Sequence, residues 1–370
     1  MLYKIGAIGG VIAIALILVV LQIKSMVFSP TATSLPLGEQ QVSSKIVEVI
    51  AQDLMIPWDV AFLPDGDFLV TERVGSLQRI GKNPFTISIP EVKKSSEGGL
   101  LGMTLHPDFV GNNFLYLYYS YQGTETGTLN KVVRYTLNDS GIENPETIIE
   151  GIPGAQYHDG GRIAFGPDGN LYITTGDAGV SESAQNTDSL AGKILRITED
   201  GAIPEDNPFN NAIYSYGHRN PQGITWDDQG NLWSTEHGRS GITKTGLDEI
   251  NRIEKGKNYG WPTIEGDATK EGMEIPKAHS GPDETWAPGS VVYHNGSLWF
   301  GGLRGQALYE AKIQDGEVVK IISHFREQLG RIRTVVVGPD NYLYITTSNQ
   351  DGRGTVRERD DKVLRITTSL

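Results

Sequence analysis

One phrase recurs along this chain of 370 residues, and it constrains the fold more than anything else in it. "FLPDGDFLVTERVG" begins at Phe62, "LHPDFVGNNFLYLYYS" at Leu105 and "FGPDGNLYITTGDAG" at Phe165. "WDDQGNLWSTEHG" begins at Trp226, "VYHNGSLWFGGLRG" at Val292 and "VGPDNYLYITTSNQDG" at Val337. Each copy is a β-rich stretch, a turn of Pro, Asp, Asn and Gly, then an alternating apolar–aromatic strand. A unit of roughly 50 residues holding several short strands is the mark of a β-propeller. A helical solenoid would need a 3.6-residue period, whereas these strands alternate with period 2. An irregular β-sandwich is the alternative, and six copies weigh against it. The expected fold is all-β, a six-bladed β-propeller over residues 45–370. The terminal "DDKVLRITTSL" is expected to close the ring by pairing with N-terminal sequence, which hides sheet edges.

The start of the chain is different in kind. Residues 5–23, "IGAIGGVIAIALILVVLQI", carry no charge and lie between Lys4 and Lys24. As a helix this run spans roughly 29 Å, about one hydrocarbon core. It is long for a signal-peptide core, and no clear small-residue cleavage site follows, "TATS" at 31–34 being a weak candidate. Residues 1–24 are therefore expected to form an N-terminal transmembrane helix, and 25–44 a tether. The protein would then be a single-pass protein of the cell membrane with its propeller extracytoplasmic, or a secreted one if the segment is cleaved. The flanking charges are balanced and say little about orientation.

Composition narrows the chemistry. With 32 basic and 45 acidic residues the formal net charge is −13, a poor balance for nucleic acid. There is no cysteine, so disulfides and thiolate metal sites are excluded.

If the repeat "YHDGGRIAFGPDGNLYITTGDAG" (157–179) is a hairpin turning at Asp168, Phe165 faces Leu171 and Ile163 faces Ile173. The same register puts Asp159 opposite Asp177 and brings His158 and Asp177 to the same open end. A carboxylate there could hold the imidazole in one tautomer and raise its basicity. A purely structural His–Asp pair at a blade edge is the plain alternative. Gly160, Gly161 and Gly176 flank the pair and are expected to leave room for a ligand.

Other loops add polar groups at the same end. "YGHRNPQGITWDDQGNLWSTEHG" (216–238) places His218, Arg219, Asn220 and Gln222 before a hairpin and Glu236 and His237 after it. Gly238 begins an irregular loop whose carbonyls, with carboxylates nearby, could serve calcium. Arg331 and Arg333 alternate onto one face of a strand, an arrangement that becomes favourable if an anion binds between them. Arg304 adds a further cation. Trp286 offers a flat stacking surface, and Glu97 stands before a glycine pair. One face of an acidic protein would thus be basic, which points to a small anionic ligand.

These loops resemble the soluble quinoprotein glucose dehydrogenases and PQQ-dependent aldose sugar dehydrogenases. The pieces that carry the resemblance are "EGGLLGMTLHPDF", "HDGGRIAFGPDGNLYITTGD", "GHRNPQG", "EHG", "DEIN", "NYGWP", "TWAPGS" and "GRIRTVVVGPD", in family order over about residues 50–370. The resemblance implies a six-bladed propeller that binds pyrroloquinoline quinone (PQQ) and Ca²⁺ on its axis. It implies that His158 takes the proton of the sugar C1 hydroxyl while hydride passes to the quinone, with Asp177 as its partner. Arg219 and Asn220 would lie beside the quinone oxygens, Arg331 and Arg333 would grip cofactor carboxylates, and the carbonyls of Gly238 and Arg239 would hold the calcium. Glu97 stands where the glucose dehydrogenases have a glutamine near substrate, Arg239 where they have proline, and Arg304 where they have a lysine at the cofactor. These departures put glucose preference in doubt.

Two readings remain open on the sequence. One is a PQQ- and calcium-dependent enzyme oxidising aldose sugars to lactones and passing electrons to an external acceptor. The other is a non-catalytic, membrane-anchored binding propeller. A metal-dependent lactonase on the same architecture is weaker, because it would want carboxylates where this chain has arginines.

Overall fold

The computed structural model describes residues 37–39, 47–123, 127–240 and 245–367. The anchor expected at 1–24 lies outside the described residues. No helix among the described residues is long and apolar enough to cross a membrane.

The described chain forms six sheets, each with four antiparallel strands, which are the six expected blades. Their innermost strands are Pro57–Phe62, Leu100–Leu105, Ile163–Phe165, Pro221–Trp226, Pro288–His294 and Ile332–Val337. Each recurring turn joins an innermost strand to the second strand of its blade. The turn aspartate explains the recurring phrase. Asp168 accepts from the Asn170 N–H and, at 3.1 Å, from the Tyr172 hydroxyl. Asp227 accepts from Asn231 and from Trp233 Nε1, and Asp340 from the Tyr342 N–H and the Tyr344 hydroxyl. One carboxylate therefore closes the turn and fixes the aromatic at the second position of the next strand.

The second strands Phe68–Glu72, Leu171–Thr175, Leu232–Glu236 and Leu343–Thr347 are buried at every position, because neighbouring blades cover both faces. Each large apolar side chain buried this way contributes roughly 1.5–3 kcal/mol of transfer free energy.

The ring closes as expected. Val47–Ala51 pairs antiparallel with Val363–Ile366, so the sixth blade is built from both ends of the described chain. One element was not foreseen. Leu37–Glu39, within the expected tether, adds a parallel fifth strand to the outer edge of the fifth blade, against Glu317–His324.

The axis is closed by a buried polar knot. Arg162 precedes the innermost strand of the third blade. It donates to the carbonyls of Gln222 (3.1 Å) and Gly289 (3.1 Å), and pairs with Asp59 at 2.5 Å. Its guanidinium lies 4.3 Å from the Trp58 ring. Residues from blades one, three, four and five are thereby held at fixed positions beneath the loops described next.

Candidate active site

The loops that precede the innermost strands and follow the second strands open at the end of the ring opposite the recurring turns. There they enclose a cavity of about 430 Å³. Glu97, His158, Arg219, Gly238, Arg239, Arg304, Arg331 and Arg333 all line it. Eight residues singled out in the sequence, from five different blades or their approaches, thus converge. A larger groove of about 770 Å³ lies between the fifth and sixth blades, beside the turns at His294–Ser297 and Asp340–Leu343, and contains none of these arginines.

The third-blade hairpin has the predicted register, with Ile163 opposite Ile173 and Phe165 opposite Leu171. It continues past the ladder, since the Ala178 N–H donates to the His158 carbonyl at 3.2 Å. His158 Nδ1 lies 2.7 Å from Asp177 Oδ1. The second oxygen of Asp177 accepts from Trp261 Nε1 at 2.9 Å, and the Gly179 N–H donates to the first at 2.8 Å. Burial works against ionisation of Asp177, but the His158 contact and these two donors outweigh it and hold the carboxyl below its ordinary range. An ionised Asp177 fixes the tautomer with the proton on Nδ1, leaving Nε2 as the acceptor.

The glycines have a different purpose from the one expected. A Cβ on Gly176 would come within 1.9 Å of the His158 carbonyl oxygen, and one on Gly160 within 2.5 Å of the Thr174 oxygen. They allow backbone to pack on backbone, and the space beside His158 belongs to the cavity instead. His158 itself sits at φ 65°, in the left-handed region.

Asn220 does not line the cavity. It is fully buried behind His158, where its Oδ1 accepts the Gly160 N–H at 3.1 Å and its Nδ2 has no partner among the described residues. Trp286 is the clear correction. Its side chain is 1% exposed, packed 5.4 Å from Phe300 and 5.7 Å from Tyr309, and offers no surface for stacking. The site tryptophan is Trp261, from "NYGWP". It donates to Asp177 and lies 5.3 Å from the Arg219 guanidinium.

The arginines are not equivalent. Arg331 is fully engaged, with two N–H groups on Asp351 Oδ2 (2.9 and 2.7 Å) and a third on the Leu303 carbonyl. Arg333 donates only to Gln222 Oε1 at 3.2 Å, and its Nε has no partner among the described residues. Burial, reinforced by Arg73 and Arg331 nearby, pulls its pKa down to about 9. Burial likewise lowers Arg219 and Arg73, whose Nε atoms are also unpartnered among the described residues. His237 donates from Nε2 to the Pro288 carbonyl at 3.0 Å, and burial pulls it down to about 3, so it stays neutral. Arg304 stands exposed on the rim.

Glu97 accepts the His158 N–H at 3.1 Å and pairs with Arg353 at 2.7 Å. Burial opposes ionisation, but Arg353 and the His158 N–H bring Glu97 down to about 2. Asp248 is buried and staples the Gly238 loop, accepting the Gly238 N–H at 2.8 Å with one oxygen and the Trp286 and Ala287 N–H groups with the other. The sequence did not single out Arg73, Asp351 or Arg353. Each sits in a turn-like stretch, and its partners lie on other blades or across a loop.

A trap this rich in buried, under-partnered guanidinium groups suits a compact anion carrying several charges. The comparisons with known proteins agree. A family model described as "Glucose / Sorbosone dehydrogenase" matches residues 54–357. The chain is 34% identical over 342 residues to the aldose sugar dehydrogenase YliI of Escherichia coli, covering 83% of this chain and 91% of that protein. It is 35% identical over 256 residues to quinoprotein glucose dehydrogenase B of Acinetobacter calcoaceticus, covering 59% and 52%. Among solved structures, the PQQ-bound form of an aldose sugar dehydrogenase from Streptomyces coelicolor superposes with a TM-score of 0.79 at 37% identity, over 87% of this chain and 97% of that one. With the propeller, the His–Asp pair and the arginine-lined axis all accounted for, this chain belongs to the glucose/sorbosone dehydrogenase family.

Proposed function

We propose that the protein oxidises aldoses at C1 to lactones, using PQQ held together with Ca²⁺, and passes the electrons to an external acceptor. The observation that carries this reading is the His158–Asp177 dyad, held through Nδ1 so that Nε2 is left as the acceptor, in the wall of a cavity lined by six arginines.

The residues present fit the cofactor. PQQ carries three carboxylates, and Arg333, Arg73 and Arg219 leave buried donors unpartnered among the described residues. Arg333 and Arg304 would hold carboxylates directly, with Arg331 answering once its bond to Asp351 is shared. Among the described residues no group of three or more His, Asp or Glu could hold a metal unaided. Calcium, which takes six to eight oxygens, would be held by the Gly238 and Arg239 carbonyls, which do not complete its shell by themselves, and it would supply Lewis-acid polarisation there.

When bound, PQQ supplies a two-electron acceptor for the C1 hydrogen and its bonding pair, and calcium polarises its carbonyl. His158 Nε2 takes the proton of the C1 hydroxyl as the carbonyl forms. Asp177 stabilises the imidazolium that results. Arg219, stacked on Trp261, offsets negative charge as it develops in the cavity. Glu97, Arg239 and Arg304, where the chain departs from the glucose dehydrogenases, favour a broader aldose range over glucose alone. The propeller works outside the cytoplasmic membrane, on an N-terminal anchor or released from it.

Reconstitution tests the proposal. The purified protein should gain dye-linked aldose oxidation when PQQ and Ca²⁺ are both added. Absence of both PQQ binding and activity across a panel of aldoses would overturn it.

A further inference from the structure

His158 occupies a left-handed backbone conformation that a residue other than glycine seldom adopts. Something must hold it there. Its carbonyl receives the Ala178 N–H, and its ring is held by Asp177. Its N–H goes to Glu97 Oε2 at 3.1 Å. The other oxygen of Glu97 is taken by Arg353 at 2.7 Å. Glu97 reaches in from the approach to the second blade. Arg353 comes from the loop between the last two strands of the sixth blade, 256 residues away along the chain. The ion pair therefore ties the segment carrying the base to a different part of the ring.

We propose that Arg353 is a positioning residue for the reaction, acting through Glu97 to hold the backbone of His158 so that its ring nitrogen faces the cavity. This rests on the reading of His158 as the base. The two oxygens of Glu97 each accept from a donor, and this arrangement requires a carboxylate. A glutamine has one acceptor and one NH₂, so it would have to turn a donor toward either the His158 N–H or the Arg353 guanidinium. Arg353 is 55% exposed at the side chain, so replacing it leaves no buried gap. Arg353 also lines the cavity, so the cofactor titration separates a direct contact from an effect exerted through Glu97.

The test uses the whole protein labelled with ¹⁵N-histidine, whose seven histidines give a simple amide spectrum. R353Q and E97Q should each speed exchange of the His158 amide about tenfold and leave the other histidine amides unchanged. In the PQQ-loaded protein each should lower kcat about tenfold, with the cofactor Kd within twofold of wild type. R353K should restore most of the kcat. The E97Q/R353Q double variant should be no worse than either single one, as expected for two parts of one strut. The proposal is overturned if R353Q leaves His158 amide exchange at the wild-type rate, or if the two single losses multiply. A rise in KM confined to E97Q would also overturn it, because Glu97 would then be acting on the sugar alone. The amide readout needs no turnover. If exchange responds but no variant or wild type oxidises aldoses, the strut stands and the functional reading fails. If wild type turns over and exchange does not respond, the reverse holds.

Discussion

Nδ1 of His158 and Oδ1 of Asp177 stand 2.7 Å apart at the end of one hairpin, with the second oxygen of Asp177 tied to Trp261 from the next blade's loop. The pair thus has its orientation set before any ligand arrives. D177N would keep the shape but offer Nδ1 an amide, which can favour the wrong tautomer. It should lower kcat by about 10²–10⁴, the usual worth of a general base. PQQ affinity should stay within a few fold, as measured by absorbance titration. A D177N protein with near wild-type kcat would remove Asp177 from the mechanism.

Arg331 and Arg333 should separate sharply. R331Q strips the cation from Asp351, whose side chain is 2% exposed, and should destabilise the apoprotein by about 3–5 kcal/mol. R333Q removes a buried charge that lies near Arg73 and Arg331 and has no carboxylate partner among the described residues. The apoprotein should therefore keep or gain melting temperature, while PQQ binding weakens about 10–100-fold. Calorimetry and cofactor titration on the two variants check this. Equal losses of stability would contradict it.

Metal removal should act through the cofactor. A chelator should lower PQQ affinity in the loaded protein and leave the apoprotein's melting temperature unchanged, since no described cluster of acidic or histidine side chains holds a metal unaided. A drop in the apoprotein's melting temperature would reveal a structural ion.

The contribution of Glu249 to stability should fall as pH rises across neutrality. Glu249 lies directly across the ladder from Glu236, and burial first, then the Glu236 charge, raises its pKa. A carboxyl whose folded pKa exceeds its unfolded value keeps its proton in the native state after the unfolded chain has released it. Its contribution is therefore lost as pH climbs from about 4.3 toward the raised value. Neutral His237, pulled down to about 3, works in the opposite direction below about 6.5. Between pH 6.5 and 8 the difference between wild-type and E249Q melting curves isolates Glu249. E249Q should gain stability relative to wild type across that window. Parallel curves would contradict the assignment.

The blades were legible because the recurring turns are built from local contacts, as the aspartates of three of them, Asp168, Asp227 and Asp340, show. The His158–Asp177 contact was legible for the same reason, since hairpin register is a local property. Trp286 misled because a tryptophan beside a turn looks the same in sequence whether it faces a cavity or, as here, Phe300 and Tyr309. Arg353 was invisible because its partner Glu97, 256 residues away, meets it only when the ring closes. Asp351 meets Arg331 at the open end of the sixth blade's own hairpin, but it lies beyond the strand in a turn-like stretch whose path the sequence does not give. The strand Leu37–Glu39 is three residues long, too short for a period to register.

The central claim is that one histidine performs the proton transfer in a site that binds its cofactor by other means. The most direct test compares H158A with wild type in the same preparation, titrating PQQ with Ca²⁺ present and then measuring dye-linked aldose oxidation. H158A should bind PQQ with near wild-type affinity and lose about 10²–10⁴ in turnover. A PQQ-loaded H158A protein that still oxidises aldoses at the wild-type rate would contradict the account.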